Sequence, residues 1–481
     1  MRAASAAVAV AVLVSGCAGM WRPEGNGGWS PSRRTEELER LAGRAGVDLE
    51  GDEAPTQATP RTLDLATALA MAVSGNRRIA IARRDLDIAA EGVRAVRSQL
   101  LPTTVGAGRY TWYTDALRNR VPLPTGVGAG PNSAIVIRDK DFGTVNGTIA
   151  LPIDLSGELR HALSAAQAGY RGERARVWAS TLDQQLAVTR AYFDLLEAER
   201  LREVTEQNVT LYREQLANAE SRFENGQLTK NQLLVVQVAL QSGEEERQQR
   251  ALVIARARYA LNDAIGADVN APTEPADVTE RPAVPTTEDA LRAAYAENPL
   301  LQALVEQQQR LEDTARSVEL GWLPRVTAGG AIDYSSSQLL EPSEFGSGFV
   351  GFTWNLDTDS RRAAEAAQAR IAAERNRLEI ERELRDLEAL VRTTQQAASE
   401  RLAALAIAEQ AVGQAEENLR IRRQQFDAGR ASSEDVLDAQ ALVSNQRALR
   451  ASALYQAHVR LAELHSLMGR ELAGESREGH P

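Results

Sequence analysis

Residues 206–237, EQNVTLYREQLANAESRFENGQLTKNQLLVVQ, line up with residues 409–440, EQAVGQAEENLRIRRQQFDAGRASSEDVLDAQ, at a constant shift of 203. Glu206 falls on Glu409, Leu216 on Leu419, Phe223 on Phe426, Gly226 on Gly429 and Leu234 on Leu437. The same shift carries Leu261 and Gly266 onto Leu464 and Gly469. Upstream, ALAMAVSGN matches ALRAAYAEN and LLPTTVGAG matches WLPRVTAGG at a shift of 222. Self-similarity at a fixed offset means two copies of one supersecondary unit. The first copy holds 19 residues more, the difference between the two shifts, placed between Pro102 and Ile153.

Each copy reads in the same order: a helix ending at Leu-Pro, two strands, a very long helix, a glycine turn and another long helix. The first long helix is expected over 157–225, roughly 100 Å at about 1.5 Å per residue. Its counterpart, 358–428, keeps an apolar residue every seventh position: Leu384, Val391, Ala398, Leu405, Val412, Leu419 and Phe426. A sustained heptad implies supercoiled helix pairs. Aromatics make up only 5% of the chain and much of the rest of these helices is Ala. Alanine lets helices approach closely but buries little area, so such a hairpin needs neighbours.

The strands carry a different period. In TVNGTIAL (144–151), polar Thr144, Asn146 and Thr148 alternate with Val145, Ile149 and Leu151. In FVGFTWNL (349–356), Val350, Phe352, Trp354 and Leu356 stand against Gly351, Thr353 and Asn355. Alternation over about ten residues, with Tyr110, Trp112, Tyr113 and Tyr334 near the expected ends, fits membrane-barrel strands with an aromatic girdle. In a soluble helical protein the same hairpins would be small edge sheets. The loop VPLPTGVGAGPN (121–132) suits an exposed tip. Its glycines make no dinucleotide site, because no helix follows to offer its N-terminus to a phosphate. Four strands cannot close a barrel, for which about eight is the practical minimum. Strands in lipid must therefore be shared among chains.

At the N-terminus, Arg2, a short apolar run from Ala6 to Val14, and VSGC ending at Cys17 have the layout of a secretory signal with a lipobox. Residues 1–16 are expected to be the signal peptide, and Cys17, the only cysteine, the site of a covalent lipid. Residues 17–62, rich in Gly, Pro, Ser and charge, read as a tether. A net charge of −11 leaves no basic surplus for phosphates, so no nucleic-acid partner is expected. Enzymatic motifs are missing: there is no G-x-S-x-G, no phosphate-binding G-x-x-x-x-G-K-[ST] and no H-E-x-x-H. His161, His458, His465 and His480 form no established ligand pair. The expectation is a non-enzyme with no metal site and no cofactor besides the lipid.

Two copies of helix–strand–strand–helix–turn–helix, Leu-Pro before each first strand, the lipobox, and DVLDAQ after the second glycine turn together resemble the TolC family of outer-membrane efflux proteins, in its lipoprotein branch. The resemblance runs from about Leu63 to Gly469. It implies an α+β membrane protein: a homotrimer whose strands, four per chain, form one twelve-stranded outer-membrane β-barrel. Its long helical hairpins would form a periplasmic α-barrel that works with a periplasmic adaptor and an inner-membrane pump. The implied organisation is repeat one over 63–265, a linker in an equatorial belt over 266–287, repeat two over 288–469 and a tail over 470–481. Gly226, Gln227, Leu228 and Thr229, with Gly429, Arg430, Ala431 and Ser432, would be the periplasmic tips that meet the adaptor. Asp435 and Asp438 would line the narrowest point of the tunnel as a gate, whereas the first copy has Gln232 and Val235 there. Without the resemblance, two carboxylates three residues apart are simply one wet helix face. A conduit for secreted protein and a lipid-anchored periplasmic coiled-coil scaffold are the alternative functions.

Overall fold

The duplication is legible in the helix lengths. The computed structural model describes residue 40 and residues 62–120, 134–337, 339–354 and 361–472. The signal segment, Cys17 and the loop 121–132 lie outside the described residues. Residues 61–481 form one unit. Copy one contains α1 (Leu65–Gly75), α2 (Arg77–Ser98), α3 (Glu158–Glu224) and α4 (Lys230–Ile265), of 11, 22, 67 and 36 residues. Copy two contains α5 (Thr287–Glu297), α6 (Pro299–Leu320), α7 (Arg361–Asp427) and α8 (Ser433–Leu467), of 11, 22, 67 and 35 residues. The single helix expected before each Leu-Pro is two helices, broken at Asn76 and Asn298. Asn76 accepts from the amides of Arg78 and Ile79, and Asn298 from that of Leu301. An Asn in extended conformation ends one helix and caps the next, and Pro299 then occupies a first-turn position where its missing N–H costs nothing.

Four strands make one antiparallel sheet in the order β2 (Thr103–Trp112), β5 (Asp141–Ile153), β7 (Arg325–Ser335), β8 (Glu344–Thr353). Copy one also carries a two-stranded ribbon, β3 (Leu117–Arg120) with β4 (Ala134–Arg138), where its extra residues fall. The register sorts the side chains. Leu151, Ala328 and Val350 stand opposite one another, as do Ile153, Val326 and Phe352. Ala107, Asn146, Asp333 and Phe345 make a row of the other parity, as do Val105, Thr148, Ala331 and Ser347. Residues directly opposite share a face. One face therefore carries Val145, Ile149, Leu151, Ile332, Val350 and Phe352, all exposed despite being apolar. On the other, Thr144, Asn146 and Thr148 are half-buried, and Asn146 Nδ2 donates to Asp333 Oδ1. One face is apolar yet exposed; the other mixes this polar row with exposed Val105, Phe345 and Phe349.

Each strand of this sheet joins a helix, and the helices pack in the same order as the strands. α3 packs against α2 on one side and α6 on the other, and α6 packs against α7. Further from the sheet the row becomes α4, α3, α8, α7. The heptad row of α7 is the buried one: Val391, Ala398, Leu405, Leu419 and Phe426 are buried. Among the described residues no helix is long and apolar enough to cross a membrane.

Two equivalent cores hold the middle. Ala68, Ala72, Val188, Leu261 and Ile265 are buried in the first. Their counterparts Ala290, Ala294, Val391, Leu464 and Met468 are buried in the second. A short parallel pair, β1 (Thr62–Leu63) with β6 (Glu274–Pro275), lies against the first core. The Tyr192 hydroxyl, fully buried, sits 2.6 Å from the Ala276 carbonyl and 3.1 Å from that of Leu63. Gln395, 203 residues on, donates from Nε2 to the Pro285 carbonyl and accepts from the Thr287 hydroxyl. One side chain in each copy thus fastens a passing segment to its long helix.

Candidate functional site: the two hairpin tips

The tips are set by backbone chemistry that the repeat supplies twice. α3 ends with Gly226 at φ +70° and α7 with Gly429 at φ +69°. Gly226 N donates to Phe223 O and Gln227 N to Arg222 O. Gly429 N donates to Phe426 O and Arg430 N to Gln425 O. These paired bonds are the Schellman motif, which satisfies the helix's last carbonyls and requires a left-handed residue, hence glycine. A Cβ at either glycine would meet nothing within 4 Å. The glycine is needed for its φ and not for space.

Three residues on, the next helix begins with a capping box. Thr229 Oγ1 accepts from Gln232 N, and Gln232 Oε1 accepts from Thr229 N at 3.0 Å. At the second tip, Ser432 Oγ accepts from Asp435 N at 3.2 Å, and Asp435 Oδ2 accepts from Ser432 N at 2.8 Å and from the Ser432 hydroxyl at 2.7 Å. The two boxes lie 203 residues apart and differ only in the nature of their acceptors. A carboxylate accepts more strongly than a carboxamide. The Ser432 hydroxyl, then the Ser432 amide, and lastly the Arg422 guanidinium 3.9 Å away hold the Asp435 carboxyl below the usual carboxylate range.

The structure thus separates Asp435 from Asp438. Asp435 closes the turn, while Asp438, one helical turn further along, is exposed. The capping-box signature S-x-x-D was present in the sequence, and it marks Asp435 as structural as well as charged. Behind the second tip, Phe426 is buried with Leu419, Val436, Ala439 and Val443, and half-buried Ala431 packs on that cluster. Its counterpart Phe223 is exposed. Arg222 of the first hairpin stacks its guanidinium 4.2 Å from the Phe426 ring centre and lies 3.9 Å from Asp427. Gln227 and Thr229 are exposed, and Leu228 is half-buried. Among the described residues no group of three or more His, Cys, Asp or Glu side chains is arranged to hold a metal.

A second polar cluster escaped sequence reading. Asp313 of α6, buried, accepts from Ser164 at 2.6 Å and from Gln309 at 2.8 Å, and meets His161 Nδ1 at 2.9 Å. Burial pushes its carboxyl up, but these bonds outweigh burial and leave it below its ordinary value. The cluster ties the end of copy one's α3 to copy two's α6. Its members are 149 and 152 residues from Asp313 in sequence, so no local pattern announces it.

This architecture has known relatives. The family model for outer membrane efflux protein matches residues 68–267 and again 290–470, once for each copy. The chain belongs to the outer membrane efflux protein family. No curated protein matches it in sequence. Among solved structures, the outer membrane protein VceC of Vibrio cholerae is 19% identical with a TM-score of 0.69, the match covering 84% of this chain and 96% of VceC. The outer membrane channel CmeC of Campylobacter jejuni is 15% identical with a TM-score of 0.71, over 89% of this chain and 91% of CmeC. The transmembrane channel CusC is 16% identical with a TM-score of 0.71, over 87% and 97%. At such identities the shared property is the fold.

Proposed function

We propose that the chain is the outer-membrane component of a tripartite efflux system, a passive exit duct built from three copies. The sheet carries this reading, with one exposed apolar face, a row of polar side chains on the other and both edges open. In lipid, each unpaired edge group costs several kcal/mol. Three copies bring twelve strands, enough for a closed barrel with a polar lumen. Because a helix row continues the strand row, closing the sheet also closes a helical tunnel beneath it.

In this reading an inner-membrane pump supplies the energy, and a periplasmic adaptor meets Gly226 to Thr229 and Gly429 to Ser432. Acylated Cys17 anchors the N-terminal tether in lipid. Asp435 and Asp438 of three copies form a carboxylate ring at the narrow end, where crowded like charges attract cations. Asp438, exposed, contributes the cation-facing charge, and Asp435 keeps the turn in shape. No reaction is assigned to any residue.

Purified protein in a planar bilayer tests the reading. Ion conductance is expected, with block by multivalent cations that weakens at least tenfold in the double variant Asp435→Ala, Asp438→Ala. A silent bilayer would return the chain to the scaffold class. A photo-crosslinker at Ala431 then identifies the partner. Capture of the adaptor of a proton-driven pump supports solute efflux, and that of an ATP-driven secretion system makes the duct a route for protein.

A further inference from the structure

The four-stranded sheet has two unlike ends. The helices join it near Thr103, Ile153, Arg325 and Thr353, so the opposite end, where β2 runs past Trp112 toward the ribbon β3–β4, opens away from them. On the face of the Thr144 and Asn146 row, register sets Arg109 opposite Thr144 and Phe142 opposite Thr111. Beyond the last pair of that ladder, Tyr113 N donates to the Lys140 carbonyl at 2.7 Å. Lys140 therefore stands opposite Tyr113 and on its face. The Tyr113 ring lies 6.4 Å from that of Phe142, and the Arg138 guanidinium stacks 3.8 Å from the Tyr113 ring centre. Arg109, Arg138 and Lys140 thus gather on one face at one end.

All three are exposed, and among the described residues none of them makes an ion pair. Arg325, at the helix end of the same sheet, is by contrast paired with Glu158. The acids nearest in sequence are engaged elsewhere. Asp141 sits opposite Trp112 on the other face and accepts from the Tyr110 hydroxyl at 2.7 Å. Asp139 accepts from the Ser337 hydroxyl at 2.6 Å. Among the described strand residues at this end, Asp333 alone sets a carboxylate on the face of the basic groups, and it is half-buried and takes the Asn146 amide. Copy two adds no positive charge here: its connection from β7 to β8, residues 336–343, holds Glu341 and neither Arg nor Lys.

We infer that this end of the sheet is an anion-attracting mouth, where Arg109, Arg138 and Lys140 draw polyvalent anionic solutes to the exit of the duct. The inference rests on the duct proposed above, in which this face lines the lumen. A guanidinium presents a planar fork of N–H donors that matches phosphate and carboxylate oxygens. Stacked on Tyr113, Arg138 is held in place while the edge of its fork stays open. An opening lined by one sign of charge between low-dielectric walls concentrates counter-ions. The chain's net charge of −11 does not reverse this, because salt confines each charge to about 8–10 Å. The carboxylates proposed for the entrance lie beyond a helix of 67 residues, roughly 100 Å away. Entrance and exit are therefore separate stations of opposite sign, the first for cations and the second for anions.

Single channels of the full-length protein in a planar bilayer test the mouth. Inorganic tripolyphosphate should block wild-type current from one side only, and multivalent cations from the other. The triple variant Arg109→Gln, Arg138→Gln, Lys140→Gln should raise the half-blocking tripolyphosphate concentration about tenfold and leave the cation block unchanged. Lys140→Glu alone, which alters one exposed side chain, should raise it about threefold. Conducting wild-type channels that tripolyphosphate does not block, or blocks from the same side as the cations, would overturn the mouth and leave the duct intact. So would a block that survives both variants. A bilayer that stays silent with wild-type protein would overturn the duct itself.

Discussion

At the first tip the carboxamide of Gln232 closes the capping box, and 203 residues on the carboxylate of Asp435 closes it instead. The glycine, its left-handed φ and the hydroxyl at the cap are kept in both. What differs is charge, and what lies behind the turn: Phe426 is buried and clasped by Arg222, while Phe223 faces out. The two cores repeat the lesson, with Tyr192 and Gln395 fastening different segments from equivalent places. Backbone geometry is the part of this unit that had to be copied. Its side-chain chemistry was left to diverge, and the divergence concentrates charge and packing at the second tip.

The largest test of equivalence lies in the cores. Leu261→Ala and Leu464→Ala remove fully buried counterparts, and each should destabilise by about 2–5 kcal/mol in chemical denaturation. A tenfold gap between their effects on the unfolding equilibrium would break the symmetry. Tyr192→Phe should cost about 1 kcal/mol by leaving the Ala276 carbonyl without its hydroxyl donor. Gly226→Ala and Gly429→Ala should each cost about 1 kcal/mol through the positive φ alone, and equally at both tips. The smallest effect is on pH. Because the folded Asp435 carboxyl is depressed, its contribution is complete above the ordinary carboxylate range and vanishes as pH falls through the lowered value. Protection factors, taken after correction for the intrinsic pH dependence of amide exchange, should therefore fall at residues 432–436 on acidification, while those at residues 229–233, capped by Gln232, stay unchanged. Asp435→Gln should abolish the difference.

Much of this was legible in the sequence. The long helices were expected over 157–225 and 358–428, and they occupy Glu158–Glu224 and Arg361–Asp427. A heptad sustained over seven positions leaves little freedom in type or length, whereas period-two alternation found strands without their bounds: 144–151 lies inside Asp141–Ile153, and 349–356 overlaps Glu344–Thr353 only in part. The tip boxes are legible as T-x-x-Q and S-x-x-D just after each glycine, a pattern that gives Asp435 a structural role beside its charge. The short parallel strand pair and its fastening were beyond reach: Leu63 finds Tyr192 across 129 residues, and two-residue strands leave no periodicity. The Asp313 cluster was equally silent, since only the fold brings His161 and Ser164 to it. The sorting of side chains between the two faces of the sheet followed from parity, but which strands are neighbours did not.

The matched lengths of α3 and α7, 67 residues each, bear on how such a chain can evolve. One residue inserted in either helix would lower its turn by about 1.5 Å and swing it through about 100°. The two turns would then lie at different depths and face different ways. Seven residues would restore the facing but still leave one turn about 10 Å deeper than the other. Length can therefore drift only in matched steps, in both arms of both hairpins, whereas single substitutions can accumulate independently. Relatives with longer or shorter ducts should differ from this chain by equal insertions at positions 203 residues apart, in multiples of seven.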